Sequence, residues 1–166
     1  MRAARRPGLD KARRGERGIS LFEVGLALGI LAILAALAVP TTQLVRRRAK
    51  EVQLLSALRE MRRAIDEYHR YAQQGLILQT DVSQEFYPED LETLVEGVEL
   101  AGDASGKKVR FLRRIPFDPM TGTYEWGMRS TQDEADSTSW GGENGYDVYT
   151  TSEALALDGK THYNEW

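Results

Sequence analysis

The sequence predicts an α+β fold in which one long N-terminal helix packs on a small antiparallel sheet. Three features of the 166 residues predict it. An apolar run over 19–39 is followed by a one-sided apolar stripe over 41–78, and both have helical character. The C-terminal part instead holds short stretches rich in aromatic and β-branched residues, separated by turn residues.

Residues 1–18 form a basic leader ahead of an acidic body. The leader holds seven basic and two acidic residues, a net charge of +5, without apolar periodicity. The rest of the chain holds 15 basic and 23 acidic residues, a net charge of −8. Because phosphate binding needs a basic surface, we expect no nucleic-acid partner for the body.

The run over 19–39 is apolar except for Ser20 and Glu23. As a helix it spans about 31 Å, the thickness of a bilayer core. A secretory signal has an apolar core of only about 7–15 residues before a small-residue cut site. This run is longer and passes from Pro40 directly into an amphipathic segment. A membrane anchor fits the length better, but a carboxyl group in lipid costs on the order of 2.5–3.5 kcal/mol, which makes Glu23 a candidate functional residue.

The segment 41–78 reads as a continuation of the helix. Apolar residues recur in steps of three and four and charged residues cover the other sides, so the rest of the domain must cover the stripe. The stripe consists of Leu55, Leu58, Met61, Ile65, Tyr68 and Ala72. Gly75 is the predicted stop.

Short elements follow. "YPEDLETLVEGV" predicts a helix with Pro88 in its first turn and Leu91, Leu94 and Val95 on one face. "KVRFLRRIPFDPMTG" predicts an extended piece and a turn. "TYEWGMRS" and "YDVYTTS" predict strands, with a polar loop between them.

Catalytic chemistry finds little support in the sequence. With no cysteine, disulfides and thiolate metal sites are excluded. His69 and His162 are the only histidines and lack metal-ligand spacing. Since no Ser-His-Asp arrangement or phosphate loop is present either, we expect a protein that is not an enzyme.

The stretch "RGISLFEV" resembles the class III signal of type IV pilins and type II secretion pseudopilins. The resemblance implies that prepilin peptidase cuts after Gly18 and that the new N-terminus, Ile19, is methylated. The family has Glu at the fifth residue after the cut and often Pro at the 22nd, which are Glu23 and Pro40 here. The first residue after the cut is usually Phe in the family and is Ile in this chain.

The body also resembles this family. "FLRRIPFDPMTGTYEW" is similar to a region of the major pseudopilin, and "YDVYTT" is similar to its last strand. The resemblance implies a pilin-like fold with a leader at 1–18, a transmembrane and assembly half of the long helix at 19–40, and a periplasmic globular domain at 41–166. The implied place is the bacterial inner membrane, then a periplasmic filament. The basic leader stays cytoplasmic because it outweighs the cluster Arg46, Arg47, Arg48 and Lys50.

The implied function is that of a structural subunit of a type II secretion pseudopilus, which helps export folded proteins. Its partners are other copies of the chain, minor pseudopilins, prepilin peptidase, the inner-membrane assembly platform and, before assembly, membrane lipid. No cofactor is required. One alternative is a major or minor type IV pilus subunit with a role in adhesion, motility or DNA uptake. Another is a membrane-anchored periplasmic binding module.

Cleavage after Gly18 would leave a positive α-amino group on Ile19. Glu23 of the same or a neighbouring subunit can pair with it, which lowers the cost of both charges in lipid and sets the register between subunits. The alternative for Glu23 is a bond to a nearby Ser or backbone group.

Gly25 and Gly29 form a G-x-x-x-G pattern, which either suits close helix packing or is incidental. Pro40 removes one helical hydrogen bond, so we expect a kink or an extended stretch there.

A calcium site is a further expectation from the family, because many major pseudopilins carry one in a Gly- and Asp-rich tail. This tail, "SEALALDGKTHYNEW", keeps only "LDG" of that pattern. Asp158 and Glu153 are the candidate ligands, together with main-chain carbonyls. The alternative is a simple turn at Asp158–Gly159.

Overall fold

The computed structural model describes residues 18, 20–77, 84–102 and 106–166, with side chains left out for 37–42. The described residues form two α-helices, four short strands and a C-terminal 3₁₀ turn at Tyr163–Glu165. The α+β class predicted from the sequence is therefore confirmed. The leader up to residue 17 and Ile19 lie outside the described residues.

Helix α1 spans Leu21–Gln73. Ser20 caps its start, since the Phe22 amide donates to Ser20 Oγ at 3.3 Å. At its end, Gly75 adopts a φ of 67°. The amides of Gly75 and Leu76 then donate to the Ala72 and Tyr71 carbonyls, both at 3.0 Å, which is the Schellman arrangement. The predicted stop at Gly75 is confirmed.

The chain divides into two compact units, Met1–Thr42 and Gln43–Trp166. The division falls close to the predicted boundary after Pro40. The helical assignment of α1 continues through Pro40, so the extended stretch that was one expectation for this position is not seen. No helix within the described ranges is both long enough and apolar enough to span a membrane.

The apolar stripe of α1 forms one side of the hydrophobic core of the second unit. Leu58, Met61, Ile65, Tyr68 and Ala72 are all buried, as predicted. The expectation for Leu55 is wrong, because this residue is only half-buried and Leu54 is the fully buried one. The stripe runs in register with Leu54, Leu58, Met61 and Ile65, so Leu55 lies about 100° away around the helix.

Helix α2 spans Leu91–Glu96, with Leu91 and Leu94 buried and Val95 half-buried against the core. Its cap is Asp90, whose Oδ1 accepts from the Thr93 amide at 2.8 Å. Pro88 therefore lies before the helix and not in its first turn, which corrects the prediction. The side chain of Asp90 can accept a hydrogen bond from the first turn, and Pro88 has no such acceptor.

The strands form two separate antiparallel ribbons. In the first, β1 (Val98–Glu99) pairs with β2 (Lys108–Val109). In the second, β3 (Gly127–Arg129) pairs with β4 (Asp147–Tyr149), with Met128 opposite Val148. The strands predicted in "TYEWGMRS" and "YDVYTTS" are confirmed, but the single sheet is replaced by two ribbons among the described residues. Ribbons of two or three residue pairs are too short to be stable alone, so they depend on packing against the hydrophobic core, which Val98, Met128 and Val148 contact.

A buried carboxylate joins the turn after Pro116 to the end of β4. Asp118 is 0% exposed. It accepts hydrogen bonds from the Met120 amide at 2.7 Å and from Thr150 Oγ1 at 2.5 Å. Its own amide donates to the Thr123 carbonyl at 2.9 Å, which closes the turn. The "DPMTG" segment is therefore held by an acid whose acceptors are both used.

Replacing this acid should destabilise the globular unit. Asp118→Ala leaves the Met120 amide and the Thr150 hydroxyl without their acceptor, and we expect a loss of about 2–3 kcal/mol in the free energy of unfolding. Urea denaturation of the full chain, followed by tryptophan fluorescence, measures it. Asp136→Ala is the matched control, because that acid is exposed, and it should change stability by less than about 0.5 kcal/mol. Equal stability of the two variants would contradict the prediction.

Candidate assembly site

The first part of α1 is an exposed apolar surface. Every described residue from 20 to 36 is exposed. Because the large apolar side chains follow one another with few gaps, they surround the helix and do not line one face. They are Leu21, Phe22, Val24, Leu26, Leu28, Ile30, Leu31, Ile33 and Leu34. An apolar surface of this size marks a site of interaction with lipid or with protein.

Glu23 is the acid in the first turn of this surface. Its carboxylate is exposed and makes no hydrogen bond or ion pair with any other described residue. It lies three residues after the cap Ser20, where a glutamate can bond back to the start of the helix. Ser20 Oγ accepts from the Phe22 amide and not from the Glu23 amide, and no bond from the Glu23 carboxylate back to Ser20 is seen among the described residues. Within the part of the chain that the structure describes, the Glu23 carboxylate is thus left without a partner.

The expected processing point lies just ahead of the helix. Gly18 is exposed, and a side chain built at this position would meet no atom within 4 Å. α1 begins only at Leu21, so the backbone at Gly18 is not held in helical hydrogen bonds. Ile19 lies outside the described residues, so its pairing with Glu23 stays a prediction.

Gly25 and Gly29 lie inside the exposed part of α1. A Cβ built at either position meets no atom within 4 Å, so the packing of the chain itself does not require glycine there. Glycine in a helix interior costs about 0.5–1 kcal/mol relative to alanine. Close approach by a neighbouring helix and an incidental choice of small residues both stay open. The side chain of Pro40, the remaining assembly candidate, lies outside the description.

The basic cluster that follows is also on the surface. Arg46, Arg47, Arg48 and Lys50 are exposed. Arg48 Nη1 lies 3.5 Å from Glu51 Oε2, but with 74% of the Arg48 side chain exposed this ion pair adds little to stability. The cluster therefore keeps its charge available for lipid headgroups or acidic partners.

Glu51 is a buried acid that the sequence analysis missed. It is 3% exposed and its Oε1 accepts from the Leu157 amide at 2.8 Å and from the Tyr163 hydroxyl at 3.1 Å. It thus attaches the C-terminal tail to α1. Burial, and then the hydrogen bond to Glu51, raise the pKa of Tyr163. The available signal was spacing, since Glu51 lies three and seven residues before Leu54 and Leu58, on the buried stripe.

The two calcium candidates, Asp158 and Glu153, have different hydrogen-bond partners, and no contact between their side chains is seen among the described residues. Asp158 uses Oδ1 to accept from the amides of Lys160 at 2.8 Å and Thr161 at 3.0 Å, and Oδ2 to accept from Thr161 Oγ1 at 2.7 Å. Glu153 is exposed and contacts the tail through its carbonyl oxygen, 2.6 Å from His162 Nδ1. Within the part of the chain that the structure describes, no three acids or histidines cluster to hold a metal. The arrangement around Asp158 is that of an Asx turn.

The comparisons with known proteins give no match: none of the family models, curated proteins or solved structures matches this chain.

The turn at Asp158 should respond to acid. The Lys160 and Thr161 amides hold the pKa of Asp158 below its usual 3.8. A carboxyl with a lowered pKa in the folded state stabilises the fold above its unfolded pKa, and this stabilisation is lost as the pH falls through the lower, folded value. We therefore expect the amide proton shifts of Lys160 and Thr161 to titrate together below pH 3.8, as NMR can measure.

Asp158→Ala is the control and should abolish that titration. Shifts that titrate equally in the variant would contradict the assignment. Calcium added to the same sample at neutral pH tests the alternative directly, because a metal on Asp158 would move both amide signals without any change of pH.

Proposed function

We propose that this chain is a structural subunit of a type II secretion pseudopilus, a filament that grows from the bacterial inner membrane and helps export folded proteins. The observation that carries the proposal is the exposed apolar start of α1 with its single carboxylate, Glu23, in the first turn. The resemblance of "RGISLFEV" to the class III signal adds a cut site at the expected distance from that acid.

The apolar surface around 20–36 needs cover in any aqueous compartment. Lipid supplies that cover before assembly, and the helices of neighbouring subunits supply it afterwards. Helices already in lipid gain no hydrophobic free energy by meeting, because the lipid tails are as apolar as leucine. Polar contacts and close packing must then decide which helices associate and at what axial offset.

Glu23 supplies such a contact under this proposal. After cleavage behind Gly18, the α-amino group of Ile19 is a cation at the end of the same apolar segment. In lipid both charges are costly alone and less costly together. A subunit in the membrane thus gains most when its acid meets the amine of the preceding subunit, and this pairing fixes the stagger of a growing filament.

The globular unit suits a load-bearing role. Its tail is attached to α1 through Glu51, and the turn after Pro116 is held to β4 by Asp118. The same turn, "IPFDPMTG", carries much of the resemblance to the major pseudopilin. The first unit is proposed to form contacts between subunits, and the second to keep a fixed outer surface.

The first test is whether the leader is removed after Gly18. The full chain, expressed with a prepilin peptidase, should yield a mature protein that begins at N-methylated Ile19, as measured by intact mass and N-terminal sequencing. A chain that keeps its leader would overturn the filament proposal and favour the membrane-anchored binding module. For a processed chain, neighbouring genes for a secretion ATPase and a secretin support the pseudopilus, whereas a retraction ATPase gene points to a type IV pilus.

The second test asks whether filament formation needs the Glu23 carboxylate. Glu23→Ala should be inserted and cut as the unmodified chain is, but should form at least about tenfold fewer filaments, since an ionic contact in lipid is lost. Sheared fractions examined by electron microscopy and immunoblotting give the yield. Glu125→Ala is the control, because it removes an exposed acid of the globular unit. Unimpaired filaments with Ala at position 23 would refute the role given to Glu23.

A further inference from the structure

A groove of about 570 Å³ runs along the globular unit between α1 and the segment after β2. Three of its lining residues are arginines: Arg59 and Arg63, one turn apart on α1, and Arg113 from the opposite wall. All three are exposed. A side chain entering this groove, hereafter the arginine groove, would meet cations from two sides.

The groove is held in shape by the core beneath it. The amides of Phe111 and Leu112 donate to the Leu94 carbonyl at 3.1 and 3.0 Å. The Phe111 ring packs edge-on against Tyr68 and Tyr71 of α1, with centroid distances of 5.4 and 5.3 Å. Arg113 therefore directly follows two residues that are fixed against the core, and the groove does not need to form on binding.

The charge of the groove is positive although the body of the chain is acidic. None of the three arginines makes an ion pair or a side-chain hydrogen bond with another described residue. The groove also holds two acids, Glu60 and Glu67, and Glu67 already contacts Arg70 at 3.4 Å. The unpartnered guanidinium groups favour a ligand with several carboxylates, because a carboxylate forms two parallel hydrogen bonds with a guanidinium group.

The chain itself presents such a ligand. The loop 131–145, hereafter the acidic loop, has four acids and no lysine or arginine. Asp133 holds its conformation by accepting from the Ser130 and Gly141 amides at 2.7 and 3.2 Å. Glu134, Asp136 and Glu143 remain exposed. Arg129, which is 5% exposed, fixes the middle of the loop through the Ser137 carbonyl at 2.7 Å.

Within one chain the two surfaces are separate. The acidic loop supplies none of the residues that line the arginine groove, and it lies instead against the segment before α2. There, the Gly145 amide donates to the Pro88 carbonyl at 2.7 Å, and Gln132 Nε2 lies 3.3 Å from Glu85 Oε1. A contact between the groove and the loop must therefore join two copies of the chain.

We infer that the acidic loop of one subunit binds in the arginine groove of the next, an inference that rests on the proposed filament role. Two different surfaces of the same chain meet in such a contact, so it is heterologous and leaves a free groove at one end and a free loop at the other. A contact of this kind closes into a ring or extends into an open helical array, and the open array is the form that a filament requires. Since both surfaces are exposed, it weakens as salt screens the charges.

Cross-linking tests the contact directly because the chain has no cysteine. Differently tagged full chains carrying Arg63→Cys and Asp136→Cys are co-expressed, and a short bismaleimide is added to the assembled material. We expect the mixed dimer in several-fold excess over a control pair in which Gln53→Cys, exposed on α1 outside the groove lining, replaces the groove cysteine. Equal yields from the two pairs would overturn the inference.

A charge swap gives a second readout. Arg63→Glu alone and Asp136→Arg alone should each lower filament yield about tenfold, because like charges then face each other. The double variant should restore most of the yield. Circular dichroism of each variant checks that these surface changes leave the fold intact. A double variant no better than its parents would refute the pairing.

The outcomes separate this inference from the proposed function. If the unmodified chain forms filaments, but the cysteine pair gives no cross-link above its control and the double variant is not rescued, the filament role stands and the groove contact is overturned. Failure of the processed, unmodified chain to form filaments overturns the filament role. Cross-linked pairs without filaments in that case would keep the contact as an association between copies.

Discussion

The guanidinium of Arg62 joins three parts of the globular unit that are distant in sequence. From α1, its Nε lies 2.6 Å from Asp147 Oδ1, and its Nη2 lies within 3.2 Å of Asp147 Oδ2, the Val148 carbonyl and the Trp166 main-chain oxygen. Asp147 also lies 3.8 Å from Arg129, so one carboxylate faces two cations. The ribbon of β3 and β4 has only three residue pairs. Apolar packing is not directional, so it does not by itself fix how this ribbon is oriented along α1. The Arg62 network supplies that orientation, because a planar fork accepts its partners in one geometry.

Polar bonds to α1 therefore set the positions of elements that apolar packing holds together. Near the start of the second unit, Glu51 binds the tail through Leu157 and Tyr163. Eleven residues further along, Arg62 binds β4 and Trp166. Both side chains are partly or fully withdrawn from water, so a break in either network leaves an unpaired polar group and costs more than the loss of an exposed ion pair. The ribbon of β3 and β4 persists because α1 presents both an apolar stripe and a fixed polar partner, Arg62, to it.

Most local signals in the sequence predict the structure correctly, with Leu55 and Pro88 as the exceptions, whereas pairings across long separations are not predicted. The Schellman end at Gly75 and the buried Leu91 and Leu94 depend on neighbours within a few residues, and periodicity is enough to predict them. The periodicity places the charged residues of 41–78, Arg62 among them, away from the apolar stripe. The acceptors of Arg62 lie 85 to 104 residues away, where no periodicity reaches. The sequence does not reveal Glu51, because an acid on an apolar stripe is normally excluded unless a distant hydroxyl and amide satisfy it.

At the candidate site the spacing from Gly18 to Glu23 is a purely local signal. The arginine groove, in contrast, needs two segments about fifty residues apart, and only the fold brings them together.

The two proposed contacts between subunits would do different work because they lie in different dielectric surroundings. An ion pair of Glu23 in lipid interacts strongly, since the medium screens little and neither charge has water as an alternative partner. Such a pair selects one axial offset but leaves rotation about the helix axis loosely determined, because the apolar surface around it is exposed on all sides.

Exposed arginines and acids interact weakly, each pair contributing about 0–1 kcal/mol. Their positions on a rigid globular unit, however, specify which faces meet. The groove and loop thus suit the choice of rotation between subunits, while the acid in the apolar helix suits the choice of stagger, and a helical filament needs both.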